Sequence, residues 1–138
     1  MVLVDTSVWI DFLRGSPTPQ VSQLSALLEG EDLVGITPIV LQEVLQGANS
    51  AQRFEQWRRE FTGLMCYLPM DPIETHVDAA RLYANCRQAG QTPRSSNDCL
   101  IAQIAIEHDL LLLENDRDFQ SIAEVEEKLR LFPLERAS

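Results

Sequence analysis

Apolar residues follow two different spacings along the chain, and the alternation between these spacings predicts the secondary structure. Two short segments are apolar at consecutive positions: "MVLV" at residues 1–4, and the four leucines of "LLLLE" at residues 110–114. Consecutive apolar residues are typical of strands that are buried on both faces, as in a parallel sheet. Weaker runs of the same kind predict three further strands, at residues 32–37, 64–70 and 129–134.

Between these runs, apolar residues recur at the three- and four-residue spacing of amphipathic helices. Local signals mark the ends: Thr37 and Pro38 begin one predicted helix, Gly30 ends another, and Ser96 or Asn97 caps a third. The predicted helices cover residues 21–30, 37–48, 51–62, 71–90 and 95–109. Strands that alternate with helices predict an α/β fold, a three-layer α/β/α sandwich around a central, mainly parallel sheet.

Length, composition and charge narrow the class of protein. The chain has 138 residues, of which 45% are apolar, and we expect residues 1–138 to form a single domain. The net charge of −10 argues against a basic nucleic-acid surface and favours a cationic partner or bound metal ions. Three cysteines without a CxxC spacing, and no apolar run long enough for a membrane span, predict a reduced cytoplasmic protein.

Four carboxylates occupy positions where a charge needs a partner. Asp5 ends the first predicted strand and Asp116 follows the fourth, and the carboxyl ends of parallel strands meet at one edge of a sheet. Asp98 and Glu43 share faces with apolar neighbours on their helices, which predicts that they point inward. Buried carboxylates are costly when they lack a partner, and the hard cations Mg²⁺ or Mn²⁺ would bind them.

Each acid also has an ordinary structural interpretation, which the sequence leaves open. Asp98 could stand in the first turn of its helix, where the helix dipole favours a negative charge. Glu43 could pair with Arg14 or Arg94, and the two strand-end acids could be simple turn residues. No single residue decides for a metal site. The site is favoured because two acids are predicted at the same edge of the sheet and two more are predicted to point into the interior.

Three segments of the chain occur together in one known family. They are "VDTS" near the amino end, the single helical glutamate in "TPIVLQEVLQGA", and "SSNDCLIAQIAIEHD" followed by "LLLLENDRDF". In this order they resemble PIN-domain proteins, and more closely the VapC toxins of toxin–antitoxin modules. The resemblance implies a Rossmann-like fold and a Mg²⁺- or Mn²⁺-dependent endoribonuclease. It also implies a VapB-type antitoxin with a basic carboxyl-terminal segment, and a homodimer.

The resemblance also implies which residues form the site. The acidic quartet of the family falls on Asp5, Glu43, Asp98 and Asp116, with Asp118 as a competing or additional metal ligand. The polar residues that would support these acids are Thr6, Ser7, Asn97 and Asn115.

RNA bound by an acidic chain needs local positive charge, and two arginines in predicted loops are candidates. We expect Arg14 and Arg94 to flank the site and contact RNA. Two other functions remain open. A non-catalytic PIN-like module would bind a cationic peptide with the same acids. A Mg²⁺-dependent receiver-like phospho-acceptor domain would need a lysine after a late strand, and Lys128 lies in a segment that is predicted to be helical.

Overall fold

A five-stranded parallel sheet forms the centre of the molecule. The structure, a computed structural model, describes residues 1–134. Within that range the strands are β1 Val2–Val4, β2 Val34–Ile36, β3 Met65–Cys66, β4 Leu111–Leu113 and β5 Arg130–Leu131. Their order in the sheet is β3-β2-β1-β4-β5, and every neighbouring pair is parallel. The predicted parallel sheet is confirmed, and the last four residues of the expected domain 1–138 lie outside the described part.

Helices follow the strands along the chain. They are α1 Thr6–Arg14, α2 Pro19–Leu28, α3 Pro38–Gln46, α4 Ala51–Thr62, α5 Pro72–Gln88, α6 Ser96–Glu107 and α7 Arg117–Val125. Right-handed crossovers between parallel strands place α1–α4 on one face of the sheet and α5–α7 on the other, which confirms the three-layer fold. None of the helices within residues 1–134 combines the length and apolar character needed to cross a bilayer.

The sequence did not predict α1 or the start of α7, and it placed the cap of α6 and the position of Lys128 wrongly. Ser95, and neither Ser96 nor Asn97, caps α6: its backbone is extended, and its hydroxyl accepts a hydrogen bond from the Asn97 amide at 3.2 Å. Lys128 lies in a turn rather than in a helix, because the backbone of Glu126 becomes extended and ends α7.

The core lies where β1 and β4 pair at the middle of the sheet. Leu3 of β1 stands opposite Leu112 of β4, and both side chains are fully buried. Ile101 and Ile104 of α6 are also buried within this core. Burial of β1 and β4 on both faces explains why their sequences are apolar at every position.

The pairing of β2 with β3 depends on a glycine. Gly35 faces the ring of Tyr67, and a Cβ at position 35 would overlap that ring. The Tyr67 ring also packs against His108 at a centroid distance of 5.1 Å. The absence of a side chain at Gly35 therefore lets the segment after β3 lie against the sheet.

Candidate active site

The carboxyl edge of the sheet opens into an acidic cleft. The cleft has a volume of about 420 Å³, and it is lined by Asp5, Thr6, Ser7, Ile10, Glu43, Arg94, Ser95, Asp98, Asp116 and Asp118. All five acids that the sequence singled out line this cleft. Residues that are far apart in sequence therefore converge at the edge where ligands bind in open α/β sheets.

Asp5 is fixed at the junction of β1 and α1. Its amide donates to the carbonyl of Leu113 at 3.0 Å, which continues the pairing of β1 with β4. Its carboxylate caps α1 and accepts hydrogen bonds from the Ser7 amide at 3.3 Å and from the Ser7 hydroxyl at 2.7 Å. Burial raises the pKa of Asp5, and the bonds from Ser7 oppose that rise. Ser7 thus holds the Asp5 carboxylate in place.

Glu43 reaches the cleft from the middle of α3. Its neighbours Val40 and Val44 are buried, whereas Glu43 itself is half-buried and faces the cleft. The Thr6 hydroxyl donates to Glu43 Oε1 at 3.1 Å. No arginine within residues 1–134 forms an ion pair with Glu43, so the proposed pairing with Arg14 or Arg94 is not found.

Asp98, Asp116 and Asp118 form the tightest group of acids, which we call the aspartate cluster. One carboxylate oxygen from each of the three lies within 4.8 Å of the others. Asp98 stands in the first turn of α6, as its helix-start interpretation predicted, and its side chain also points inward and is buried. Asp116 caps α7 and accepts a hydrogen bond from the Asp118 amide at 2.9 Å. The structure therefore places both Asp116 and Asp118 beside Asp98.

Crowding of negative charge is strongest at Asp98. Burial and the neighbouring carboxylates, Asp5 first among them, raise the pKa of Asp98 to about 7. No hydrogen bond to this carboxylate offsets these effects within the described residues. Close carboxylate oxygens with unmet charge are the donor set of a hard divalent cation, so the residues present fit such an ion.

Arg94 supplies positive charge to the aspartate cluster. Its Nη2 lies 2.9 Å from Asp116 Oδ1, and its Nε lies 3.2 Å from Asp118 Oδ2. Hydrogen bonds to Asp118, followed by its charge, raise the pKa of the Arg94 guanidinium. One of the two arginines that were predicted to contact RNA is thus turned toward the acids.

Glu114 is a carboxylate at this edge that sequence reasoning missed. It follows β4 directly, is buried, and its Oε2 accepts a hydrogen bond from the Asp116 amide at 2.8 Å. Burial raises its pKa. The signal was available, since Glu114 stands to β4 as Asp5 stands to β1: both carboxylates come directly after a buried apolar strand.

Three predicted site residues lie away from the cleft. Asn115 is exposed and accepts a hydrogen bond from Gln20 of α2 at 3.2 Å. Asn97 lines a separate pocket, together with Tyr83 of α5. Arg14 is exposed at the end of α1. A role for these three residues in the site remains a prediction.

Comparisons with known proteins identify the family and agree with the fold. The family model described as PIN domain matches residues 2–125. The chain is 33% identical over 126 residues to the VapC ribonuclease Mb1587 of Mycobacterium bovis, which covers 91% of this chain and 93% of that protein. The structure of VapBC2 from Rickettsia felis bound to a DNA fragment from their promoter matches with a TM-score of 0.72 at 20% identity, over 96% of this chain and 98% of that one. A toxin–antitoxin complex from Klebsiella pneumoniae matches with a TM-score of 0.62 at 23% identity, over 95% of this chain and 100% of that one.

Proposed function

The chain belongs to the PIN domain family, and on that premise we propose that it is an endoribonuclease toxin that hydrolyses phosphodiester bonds in RNA. The observation that carries the proposal is the meeting, in one cleft, of acids from the β1–α1 junction, from α3, from α6 and from the start of α7. Supporting it, the relative at 33% identity is named a ribonuclease. We propose that the whole chain is one PIN domain and that it acts in the cytoplasm, in keeping with its three free cysteines.

We assign the cofactor as Mg²⁺ or Mn²⁺, held by the aspartate cluster with Asp5 beside it. When bound, such an ion neutralises charge on the phosphoryl oxygens and lowers the pKa of a bound water. The aspartate cluster supplies three carboxylates within ligand reach of one another. The Ser7 hydroxyl donates to the Asp5 carboxylate and keeps it aimed at the cleft. The Glu114 carboxylate accepts a hydrogen bond from the backbone amide of Asp116 and so holds Asp116 in position.

Glu43 is the acid best placed to orient an attacking water. It faces the cleft from α3, on a different element from the aspartate cluster, and the Thr6 hydroxyl fixes one of its oxygens. A second oxygen that is free to accept a proton or hold a water is what a general base requires. We therefore assign Asp5, Glu43, Asp98 and Asp116 as the catalytic acids, with Asp118 as a further metal ligand.

We propose an antitoxin of the VapB type as the partner that neutralises the activity. The solved VapBC2 and toxin–antitoxin structures share this fold, and the net charge of −10 suits a partner with a basic carboxyl-terminal segment. A guanidinium from such a segment can bind carboxylates with two parallel hydrogen bonds. A homodimer is supported by exposed apolar side chains on and before α5, which are Leu68, Met70, Ile73 and Val77.

The receiver-like alternative is not favoured. Lys128 lines a different groove, together with Asp78 and Arg81, and it is not among the residues that line the acidic cleft. A non-catalytic binding module is also not favoured, since the relative at 33% identity is named a ribonuclease.

The decisive experiment is cleavage of a structured RNA by purified protein with Mg²⁺ or Mn²⁺, compared with an EDTA control. Asp98→Asn should lower the cleavage rate by more than about 100-fold. Mutation of residues that only hydrogen-bond to metal ligands already lowers activity or metal affinity by about 10–100-fold. Asp78→Asn is the matched control, since Asp78 pairs with Arg81 on an exposed helix face outside the acidic cleft. Cleavage that survives EDTA, or full activity in Asp98→Asn, would overturn the proposal.

A further inference from the structure

The backbone of Arg94 is held firmly at the rim of the cleft. Its amide donates to Asp118 Oδ2 at 3.1 Å. Pro93 before it is buried, and Ser95 after it caps α6. These anchors fix the Cα of Arg94 relative to both α6 and α7, so a movement of this residue is confined to its side chain.

The side chain of Arg94 is held only weakly. It is 68% exposed, and within the described residues its ion-pair partners are the carboxylates of Asp116 and Asp118. Exposed ion pairs contribute little to stability and are readily exchanged. The same two carboxylates belong to the aspartate cluster, so the guanidinium and a divalent cation bind overlapping ligands.

Electrostatics decides which charge is held. Without a cation, the Arg94 guanidinium reduces the repulsion among the clustered carboxylates. This repulsion is strong at Asp98, which has four acidic neighbours. A divalent cation in the cluster carries twice that charge closer to all three carboxylates, and it repels the guanidinium. We propose that the Arg94 side chain is the resident counter-ion of the aspartate cluster and that it leaves Asp116 and Asp118 when a divalent cation binds.

The freed guanidinium would stand at the rim of the cleft, where it can contact a phosphate of the bound RNA. A long, flexible side chain on a fixed Cα can exchange a carboxylate for a phosphate, because both fit the guanidinium fork. This inference rests on the proposed function, which supplies the cation and the RNA. It adds a second state to the site: Arg94 paired with acids when empty, and available to substrate when loaded.

Thermal unfolding of Arg94→Gln tests the inference without measuring RNA cleavage. In EDTA the variant should melt about 2–3 °C below wild type, because it lacks the counter-ion. With saturating Mn²⁺ the two melting temperatures should coincide, because the ion pairs are already broken in wild type. Linkage then requires that Arg94→Gln bind Mn²⁺ about threefold more tightly, which isothermal titration calorimetry can measure.

Arg81→Gln is the matched control. Arg81 is 65% exposed and pairs with Asp78 at 2.7 Å, outside the acidic cleft. Its small loss of stability should be the same with EDTA and with Mn²⁺. Arg94→Lys keeps the charge but lacks the planar fork, so its Mn²⁺ affinity should fall between wild type and Arg94→Gln.

The outcomes separate the two proposals. A deficit of Arg94→Gln that persists in Mn²⁺, or Mn²⁺ binding that is unchanged or weaker, would show that Arg94 stays in place and would overturn the inference while leaving the ribonuclease intact. Failure of Mn²⁺ to stabilise wild-type protein would overturn both. Absence of RNA cleavage by the wild-type protein, together with the expected melting behaviour, would overturn the proposed function alone.

Discussion

Asp98→Asn should stabilise the metal-free protein above neutral pH, although it removes an acid from the site. The pKa of Asp98 is raised from 3.8 to about 7 by burial and by neighbouring carboxylates. The folded protein therefore holds this proton to about pH 7, whereas the unfolded chain releases it near pH 4. Because the native state binds more protons across that interval, stability falls as pH rises through it, and the full penalty is present above pH 7.

The size of the effect follows from the same two pKa values. Each pKa unit corresponds to about 1.36 kcal/mol, so this difference lowers the free energy of unfolding by at most about 4 kcal/mol. The cleft is open to solvent, which screens the repulsion, and we expect about half of that value, roughly 2 kcal/mol. For a chain of this length that is a rise in melting temperature of about 6 °C.

Thermal unfolding in EDTA, measured by circular dichroism from about pH 5 to pH 9, checks this expectation. The two proteins should be closest in stability at the acidic end, and Asp98→Asn should pull ahead as pH rises. Its own curve should still slope downward, because the pKa values of Asp5 and Glu114 are raised as well. Asp78→Asn, which changes a half-buried acid outside the acidic cleft, should follow wild type. If Asp98→Asn were less stable than wild type above pH 7, Asp98 would be a structural helix-start residue and the repulsion argument would be wrong.

Three further substitutions test the fold around the site. Ser95→Ala should destabilise the protein by about 1 kcal/mol in urea unfolding, because α6 loses its cap; an unchanged midpoint would contradict that role. Gly35→Ala should cost about 1–3 kcal/mol, since the new Cβ meets the ring of Tyr67, whereas Gly63→Ala meets only ordinary contacts and should cost less. Thr37→Val should raise the melting temperature, because the Thr37 hydroxyl is buried without a hydrogen-bond partner among the described residues; a lower melting temperature would reveal a hidden partner.

The sequence predicted the sheet well because the burial of its central strands is visible in their own apolar residues. β1 and β4 are apolar at consecutive positions since they are covered on both faces, and that pattern is local. α1 and the start of α7 were not predicted because the residues that cap them, Asp5 and Asp116, were interpreted as site residues. Each of these aspartates uses a carboxylate oxygen to cap a helix and also lines the acidic cleft.

The site was predictable where an acid interrupts an apolar pattern, and not where it depends on pairing across the fold. Asp98 stands out on an apolar helix face, so its inward direction could be inferred. The pairing of Arg94 with Asp116 and Asp118 joins residues 22 and 24 positions apart, and no local spacing encodes it. Arg94 was therefore expected to face RNA or Glu43, and only the packing of α6 beside α7 brought it to the aspartate cluster.

The order of the strands has a consequence for the timing of synthesis. β1 is the first strand to be made, yet it lies at the centre of the sheet and pairs with β4, which ends 109 residues later. At 5–20 residues per second, a ribosome needs about 5–20 s to join these two strands. During that time Asp116 and Asp118 have not been made. Asp98 is made before β4, so the strand edge beside which it will lie is still incomplete. The acidic cleft can therefore form only after nearly all of the chain has been translated.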